Sequence, residues 1–191
     1  MTHVKIKNMK ALLSTVILAL LFVSCKQQSS TSETNNETQV EFAMDIHAAA
    51  STGNLEVIKQ YINANVDLNK QDPFAGSTPL MTAITFNQEA IVKELIDAEV
   101  DLEAKNTDGA TALHTAAWFG RIEMVQLLID AKADKAAKNG FGATPRESVM
   151  VSFDEVKPIY EMMQQQLAPI GLTFDLAEIE EARPVIAMML Q

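Results

Sequence analysis

The side chains through which this chain could do chemistry are few. It has three histidines, His3, His47 and His114, and one cysteine, Cys25. A neutral imidazole can ligate a metal or relay a proton near neutral pH. A structural zinc site, however, needs clustered Cys and His donors at short spacing, and no such cluster occurs. No Gly-x-Ser-x-Gly turn presents a serine nucleophile. Gly140 and Gly142 flank Phe141 in a turn, but no lysine-bearing phosphate loop follows them. Glu178, Glu180 and Glu181 form a charge run on a helix, which is a solvated face rather than an acid–base pair. A lone cysteine excludes an intrachain disulfide. The expectation is a chain without catalytic residues, metal or cofactor, and with no small-molecule substrate.

The placing of His47 and His114 follows architecture instead. Thr78-Pro79-Leu80 opens a stretch that closes on Val100-Asp101-Leu102-Glu103-Ala104. Thr111-Ala112-Leu113-His114 opens the next, 33 residues on, and it closes on Ala133-Asp134-Lys135-Ala136-Ala137. Thr144-Pro145 begins a further copy. Upstream, Ile46-His47-Ala48-Ala49-Ala50 with Gly53 aligns with Leu113-His114-Thr115-Ala116-Ala117 with Gly120, so the two histidines share one repeat position. A fixed period of this size means stacked units, none of which can bury its apolar face alone.

Within each unit the apolar residues recur at helical spacing. Leu55, Val57, Ile58, Tyr61 and Ile62 do so in the first copy, and Ile91, Val92, Leu95 and Ile96 in the second. Ile122, Met124, Val125, Leu127, Leu128 and Ile129 do so in the third. Each unit therefore reads as two short amphipathic helices joined by a tight turn. Gly53 and Gly120 supply the turn's permissive backbone, and Asn87 stands in the same place. One loop breaks the count: Asp67 to Thr78 spans 11 residues, where Asp101 to Thr111 and Asp134 to Thr144 span 10. The extra residue falls in Gln71-Asp72-Pro73-Phe74-Ala75-Gly76-Ser77, either as a neutral insertion or as part of a binding face.

The N-terminus has a different character. Lys5, Lys7 and Lys10 precede an apolar run from Ala11 to Val23, and Ser24-Cys25 follows. The run is shorter than the ~20 residues of an ordinary spanning helix and has the layout of a secretory signal. Leu21-Phe22-Val23-Ser24-Cys25 resembles the bacterial lipobox, with Phe22 where Leu is usual; a plain signal peptide and an uncleaved anchor are the other readings. The resemblance implies cleavage before Cys25 and acylation of that cysteine. Each buried lipid CH₂ contributes about 0.8 kcal/mol, and two or more chains make a stable anchor. Residues 26–41, KQQSSTSETNNETQVE, are too polar to offset their ordering entropy and read as a tether of roughly 20–25 Å. Removing residues 1–24 takes the net charge from −10 to −13. Such a body repels nucleic acid and anionic lipid headgroups.

Past Ser152 the repeat fades. Asp154 could cap a helix running to about Gln166, in the place of a fourth unit's second helix, with Pro158 near its first turn. Pro169-Ile170-Gly171 breaks the chain. Asp175 with Glu178 three residues on reads as a capping-box-like start, and Pro184 should kink or split the helix that follows. Leu176, Ile179, Val185, Ile186, Met188, Met189 and Leu190 either seal the last unit or offer a Met-rich binding surface.

Together these residues resemble the ankyrin repeat, whose pattern runs Asp-x-x-Gly-x-Thr-Pro-Leu-His-x-Ala-Ala, then Gly, a Val/Leu-rich helix and Gly-Ala-Asp. The third copy carries Gly109, Thr111, Leu113, His114, Ala116, Ala117, Gly120, Val125, Leu127, Leu128, Ala133 and Asp134, and departs at Ala112 and Lys132. The second carries Gly76, Thr78, Pro79, Leu80, Ala83 and Asp101, with Met81 in place of His. The resemblance covers residues 42–152 and implies that His47 and His114 bond to neighbouring backbone and support the stack. It also implies partner contacts on the concave side and on the finger turns. Thr85, Phe86, Trp118 and Phe119 hold the concave positions, and Phe74 and Phe141 sit at finger tips. Exposure is the expectation for Trp118, while Phe86 and Phe119 stand open between groove contacts and packing between adjacent helices. Aromatics of this kind anchor interfaces, where truncation costs about 2 kcal/mol or more.

The expected organisation is a signal over 1–24 and a lipidated cysteine with tether over 25–41. Ankyrin repeats follow over 42–152, with a helical cap over 153–191. The fold class is all-α, a solenoid of about four helix-turn-helix units with atypical ends and extra C-terminal helices. The expected function is noncovalent capture of a protein partner, one held at a membrane, by a lipid-anchored module of a bacterial envelope. The alternative is an envelope structural protein that self-associates through its C-terminal helices.

Overall fold

A computed structural model describes residues 42–191. The signal, Cys25 and the tether expected over 1–41 lie outside the described residues. Nine α-helices and one 3-10 turn make up the described part, with no strand among those residues. Four short inner helices, α1 (Ile46–Thr52), α3 (Pro79–Thr85), α5 (Ala112–Trp118) and α7 (Pro145–Met150), stack side by side. Three outer helices, α2 (Leu55–Asn63), α4 (Glu89–Asp97) and α6 (Ile122–Asp130), stack behind them. Helix α8 (Phe153–Leu167), the turn Ala168–Ile170 and helix α9 (Leu176–Met189) complete the chain.

The repeat's small and polar residues set these boundaries. Thr78 accepts a hydrogen bond from Met81 N and is followed by Pro79, whose missing N–H costs nothing in a first helical turn. Thr144 and Glu147 form a reciprocal capping box, with Glu147 N donating to Thr144 Oγ1 at 3.2 Å and Thr144 N to Glu147 Oε2 at 2.8 Å. At the far end, Gly53, Asn87 and Gly120 all take positive φ (76°, 59° and 68°), which turns the chain from inner to outer helix as the sequence predicts. The outer helices close on Asn65, Glu99 and Lys132, also at positive φ. Lys132 sits at +69° where a glycine would be unstrained.

The core is the seam between the two helix rows. Ile58, Leu80, Ile84, Leu95, Leu113, Val125 and Leu128 are all essentially inaccessible. Burial of each such side chain contributes about 1.5–3 kcal/mol, and every helix of the stack contributes to a neighbour's seam.

The C-terminal third departs from expectation. Helix α8 does not occupy the fourth unit's outer position; α9 does, packing on α7 and α6. The cause is α9's buried stripe of Ile179, Ala182, Arg183 and Ile186. This stripe seats closely over Gly120, where an added Cβ would lie 3.1 Å from Ile179 Cα and 3.3 Å from Ala182 Cβ. Residues 151–175 are thus an insertion into the fourth unit. Pro184 does not split α9, which runs on through it. Both Pro184 and Glu180, whose carbonyl loses its partner, lie on the exposed face. Pro158 likewise falls inside α8 rather than in its first turn.

Candidate partner-binding surface

The finger turns are built from one device used three times. Asp67, Asp101 and Asp134 each accept from the backbone N–H two residues on, at 2.8–2.9 Å. Two and four residues past these aspartates come the bonds between neighbouring fingers. Asn69 Oδ1 accepts from Asp101 N and Glu103 Oε1 from Asp134 N. Gln71 Nε2 donates to Lys105 O, and Lys105 Nζ to Lys138 O. Backbone bonds close the tips, from Thr107 N to Ala75 O at 2.9 Å and from Gly140 N to Asp108 O at 2.7 Å.

Each tip is closed from within by an equivalent side chain. Asn106 Oδ1 accepts from Asp108 N and Ala110 N, and Asn139 Oδ1 from Phe141 N and Ala143 N. The first finger has Asp72 there, and its two oxygens accept three N–H groups, from Phe74 and Ala75 at 2.8 Å and from Ser77 at 2.7 Å. The third bond absorbs the extra residue of this finger. Partial burial pushes the Asp72 carboxyl up, but the bonds from Ala75, Phe74 and Ser77 outweigh it and hold the group below the usual carboxylate range. Phe74 and Phe141, at 64% and 44% exposure, stand out from these two braced turns.

The other three aromatics are placed differently. Phe119 is buried and meets Phe174 edge-on, with centroids 5.8 Å apart. Trp118 is half-buried beneath Tyr160, stacked at 4.7 Å, so the expectation of an exposed Trp118 is corrected. Phe86 is half-buried against the same cluster. The insertion brings Val156, Tyr160, Leu172 and Phe174 over the ends of α3 and α5, and this cover is what removes the three residues from the concave surface. Tyr160 secures it by donating to Trp118 O at 2.6 Å. Burial pushes the Tyr160 hydroxyl above its ordinary range despite the attraction of Arg183. Arg183 is itself buried, donates to Val151 O at 2.7 Å and lies 6.0 Å from the Phe153 ring centre. The sequence signal for this cover was the aromatic set Phe153, Tyr160 and Phe174, too apolar for a surface helix.

His114 and His47 both reach backbone. His114 Nε2 lies 3.0 Å from Ala143 O, which can only accept, so Nε2 carries the proton. Nδ1 then accepts from Thr111 N at 3.3 Å. Burial depresses this imidazole's pKa, as its neutral form requires. His47 Nε2 donates to Lys70 O at 2.8 Å, and Nδ1 lies 3.2 Å from Thr82 Oγ1. Among the described residues, no group of three His, Cys, Asp or Glu side chains is placed to hold a metal ion. Among those residues no helix is long and apolar enough to cross a membrane.

Thr-capped inner helix, left-handed turn, outer helix and stacked finger recur in phase, and a family model described as Ankyrin repeats (3 copies) matches residues 46–139. The fold is an ankyrin-repeat solenoid. Over 66 residues the chain is 39% identical to the "Ankyrin repeat and SAM domain-containing protein 6" of Rattus norvegicus, a match covering 34% of this chain and 8% of that protein. It is also similar to a solved structure, the "ankyrin repeat domain of Bcl-3", described as a unique member of the IkappaB protein family. The TM-score is 0.52 and the identity 27%, covering 54% of this chain and 45% of that one. The chain thus spans less than half the length of either protein. Ankyrin repeats generally mediate protein–protein interaction.

Proposed function

We propose that this chain is a protein-binding module, without catalytic activity, that captures its partner on the finger side of the ankyrin stack. The observation that carries the reading is the pair Phe74 and Phe141, large, exposed and fixed on turns braced by side-chain and interfinger hydrogen bonds. A rigid aromatic loses little entropy on binding, so it can act as an anchor. Phe86 and Trp118 contribute at most their accessible edges, and Phe119 none. A partner recovered by crosslinking with the wild type and lost with Phe74→Ser/Phe141→Ser supports this surface. Equal recovery by both proteins sinks it.

The proposed setting is a bacterial envelope, with Cys25 acylated in the bilayer and the polar tether holding the repeats near a membrane-associated partner. Confinement of this kind raises the effective partner concentration without any new contact. Support comes from the lysines, apolar run and lipobox-like Leu21–Cys25 sequence. Labelling with an alkyne fatty acid should mark the wild type and not Cys25→Ser; labelling of both would remove the anchor from the reading. A second reading, self-association through the C-terminal helices, draws on Met150, Val185 and Met188, all exposed at the end of the stack. A monomer whose sedimentation does not change with concentration counts against it.

A further inference from the structure

The insertion of residues 151–175 lies outside the fourth unit, because α7 and α9 already supply that unit's two helices. Four of its side chains are buried, Val156, Tyr160, Leu172 and Phe174. They form a cluster of their own with Phe119 and Ile179, separate from the seam between the two helix rows. Helix α8 buries only Val156 and Tyr160 of its 15 residues, has no side-chain cap at Ser152 and carries Pro158 inside. A segment with so few buried contacts stands at the low end of a protein's range of local stabilities. Its junctions with the stack, Val151–Ser152 and Asp175, are extended chain that can swing without unwinding α7 or α9. Closure also carries costs. Buried Arg183 reaches only the Val151 and Ser148 carbonyls and the Tyr160 hydroxyl, with no carboxylate paired to it among the described residues. A cation held from water without a counter-charge offsets part of what the aromatic burial gains. At the insertion's other edge the fit is open, with a cavity of about 800 Å³ between Gly171–Leu176 and the end of α3. Arg121 lines that edge with Nε and Nη2 sealed from water and unbonded among the described residues, a further cost of the closed form.

We propose that residues 151–175 are an autoinhibitory lid, which opens as a unit to uncover the concave aromatic lane of Phe86, Trp118 and Phe119. In the closed form the lid holds the place of a partner. The Tyr160 ring stacks on Trp118 at 4.7 Å and its hydroxyl donates to Trp118 O at 2.6 Å. Phe174 meets Phe119 edge-on at 5.8 Å, and Phe86 packs against the same cluster. The lane's occupant is therefore an amphipathic helix with a tyrosine, followed by an extended strap with a phenylalanine. A partner segment of the same chemistry competes with the lid for the lane. This inference rests on the protein-binding reading and extends it to a surface separate from the finger tips.

Trp118 is the chain's single tryptophan, so its emission reports the lid without a label. The test follows acrylamide quenching of Trp118 in the full chain through a urea series, beside hydrogen exchange of the amides of α1 to α6. The expected result is that Trp118 becomes quenchable at urea concentrations where those amides keep their protection. Tyr160→Phe loses the bond to Trp118 O and keeps the ring, so this step should move to lower urea while the stack's own transition stays in place. A second readout uses a labelled synthetic peptide of residues 153–175, blocked at both ends. It should bind Tyr160→Ala about 10-fold more tightly than the wild type, because apparent affinity scales with the open fraction. Three results would overturn the inference: Trp118 and the stack amides giving way together in both proteins, equal binding of the peptide by wild type and Tyr160→Ala, or no saturable binding to Tyr160→Ala. The finger-tip reading survives any of them, since Phe74 and Phe141 are tested by separate substitutions.

Discussion

Asp72 is the position where one atom decides between two fingers of the same design. Asn106 and Asn139 do its work in the next two turns, each with a single oxygen accepting two N–H groups. Asp72 needs its second oxygen, because Ser77 N donates to Oδ2 while Phe74 N and Ala75 N donate to Oδ1. In Asp72→Asn an amide NH₂ would face the Ser77 N–H, donor against donor. The loss is one charge-assisted bond plus weakening of the other two. Hydrogen bonds to charged groups contribute about 1.5–3 kcal/mol, and the half-exposed site discounts that to about 1–2 kcal/mol. The carboxyl's pKa is depressed in the folded chain, so its stabilisation is complete above the unfolded value near 3.9 and is lost as pH falls through the folded one. Urea unfolding at pH 7 should therefore show Asp72→Asn weaker than wild type by about that amount. At pH 2.5 the difference should shrink, since protonated Asp72 resembles the amide. Equal stability at pH 7, or a difference that persists undiminished in acid, would refute the role assigned to the second oxygen.

Three further outcomes follow from single residues. Gly109→Ala places a Cβ 2.6 Å from Gly140 N at φ +70°, with backbone rather than a mobile side chain in the way. It should cost about 2–4 kcal/mol in urea unfolding and speed exchange of the Gly140 amide. Lys132→Gly relieves a non-glycine residue at φ +69° and should raise stability by up to about 1 kcal/mol, seen as a higher Tm. His114 is buried with its pKa depressed, so it stabilises the fold above the unfolded pKa near 6.5. That contribution should fall by no more than about 1.4 kcal/mol per pH unit as pH drops toward the folded value, a slope that His114→Gln should lack in matched urea titrations.

The repeats were legible because each unit is nearly self-describing. Thr78, Thr111 and Thr144 cap, Gly53, Asn87 and Gly120 turn, and apolar spacing marks both helix rows. A local rule fixes each of those residues, so the sequence alone could place them. Even the extra finger residue could be counted, although not the three-bond role of Asp72 that accommodates it. The end of the stack was not legible, for a different reason. The choice between α8 and α9 as the fourth outer helix depends on which stripe fits over Gly120, and that is a match between surfaces distant in sequence. Periodicity carries no information about it. The expected exposure of Trp118 failed, and the placing of Phe119 stayed open, for the same reason, since their cover arrives from Tyr160 and Phe174, more than 40 residues downstream.

That cover bears on how the molecule divides its work. In an unmodified stack the aromatic ends of α3 and α5 would extend the concave side into one continuous contact lane. Here Tyr160 donates to Trp118 O and stacks on its ring, while Phe174 meets Phe119, so the lane's far end is already occupied by the chain itself. The finger side stays accessible. The finger tips offer Phe74 and Phe141 with no cation beside them as a bonded partner, a surface suited to apolar anchoring. A partner that engaged Phe74 and Phe141 together would couple them only as far as the stack is rigid. The bonds running from finger to finger and the Gly120–α9 contact supply that rigidity. Loosening the fingers by Gly109→Ala should then weaken anchoring at Phe74 and Phe141, read as lower recovery of the crosslinked partner than with the wild type.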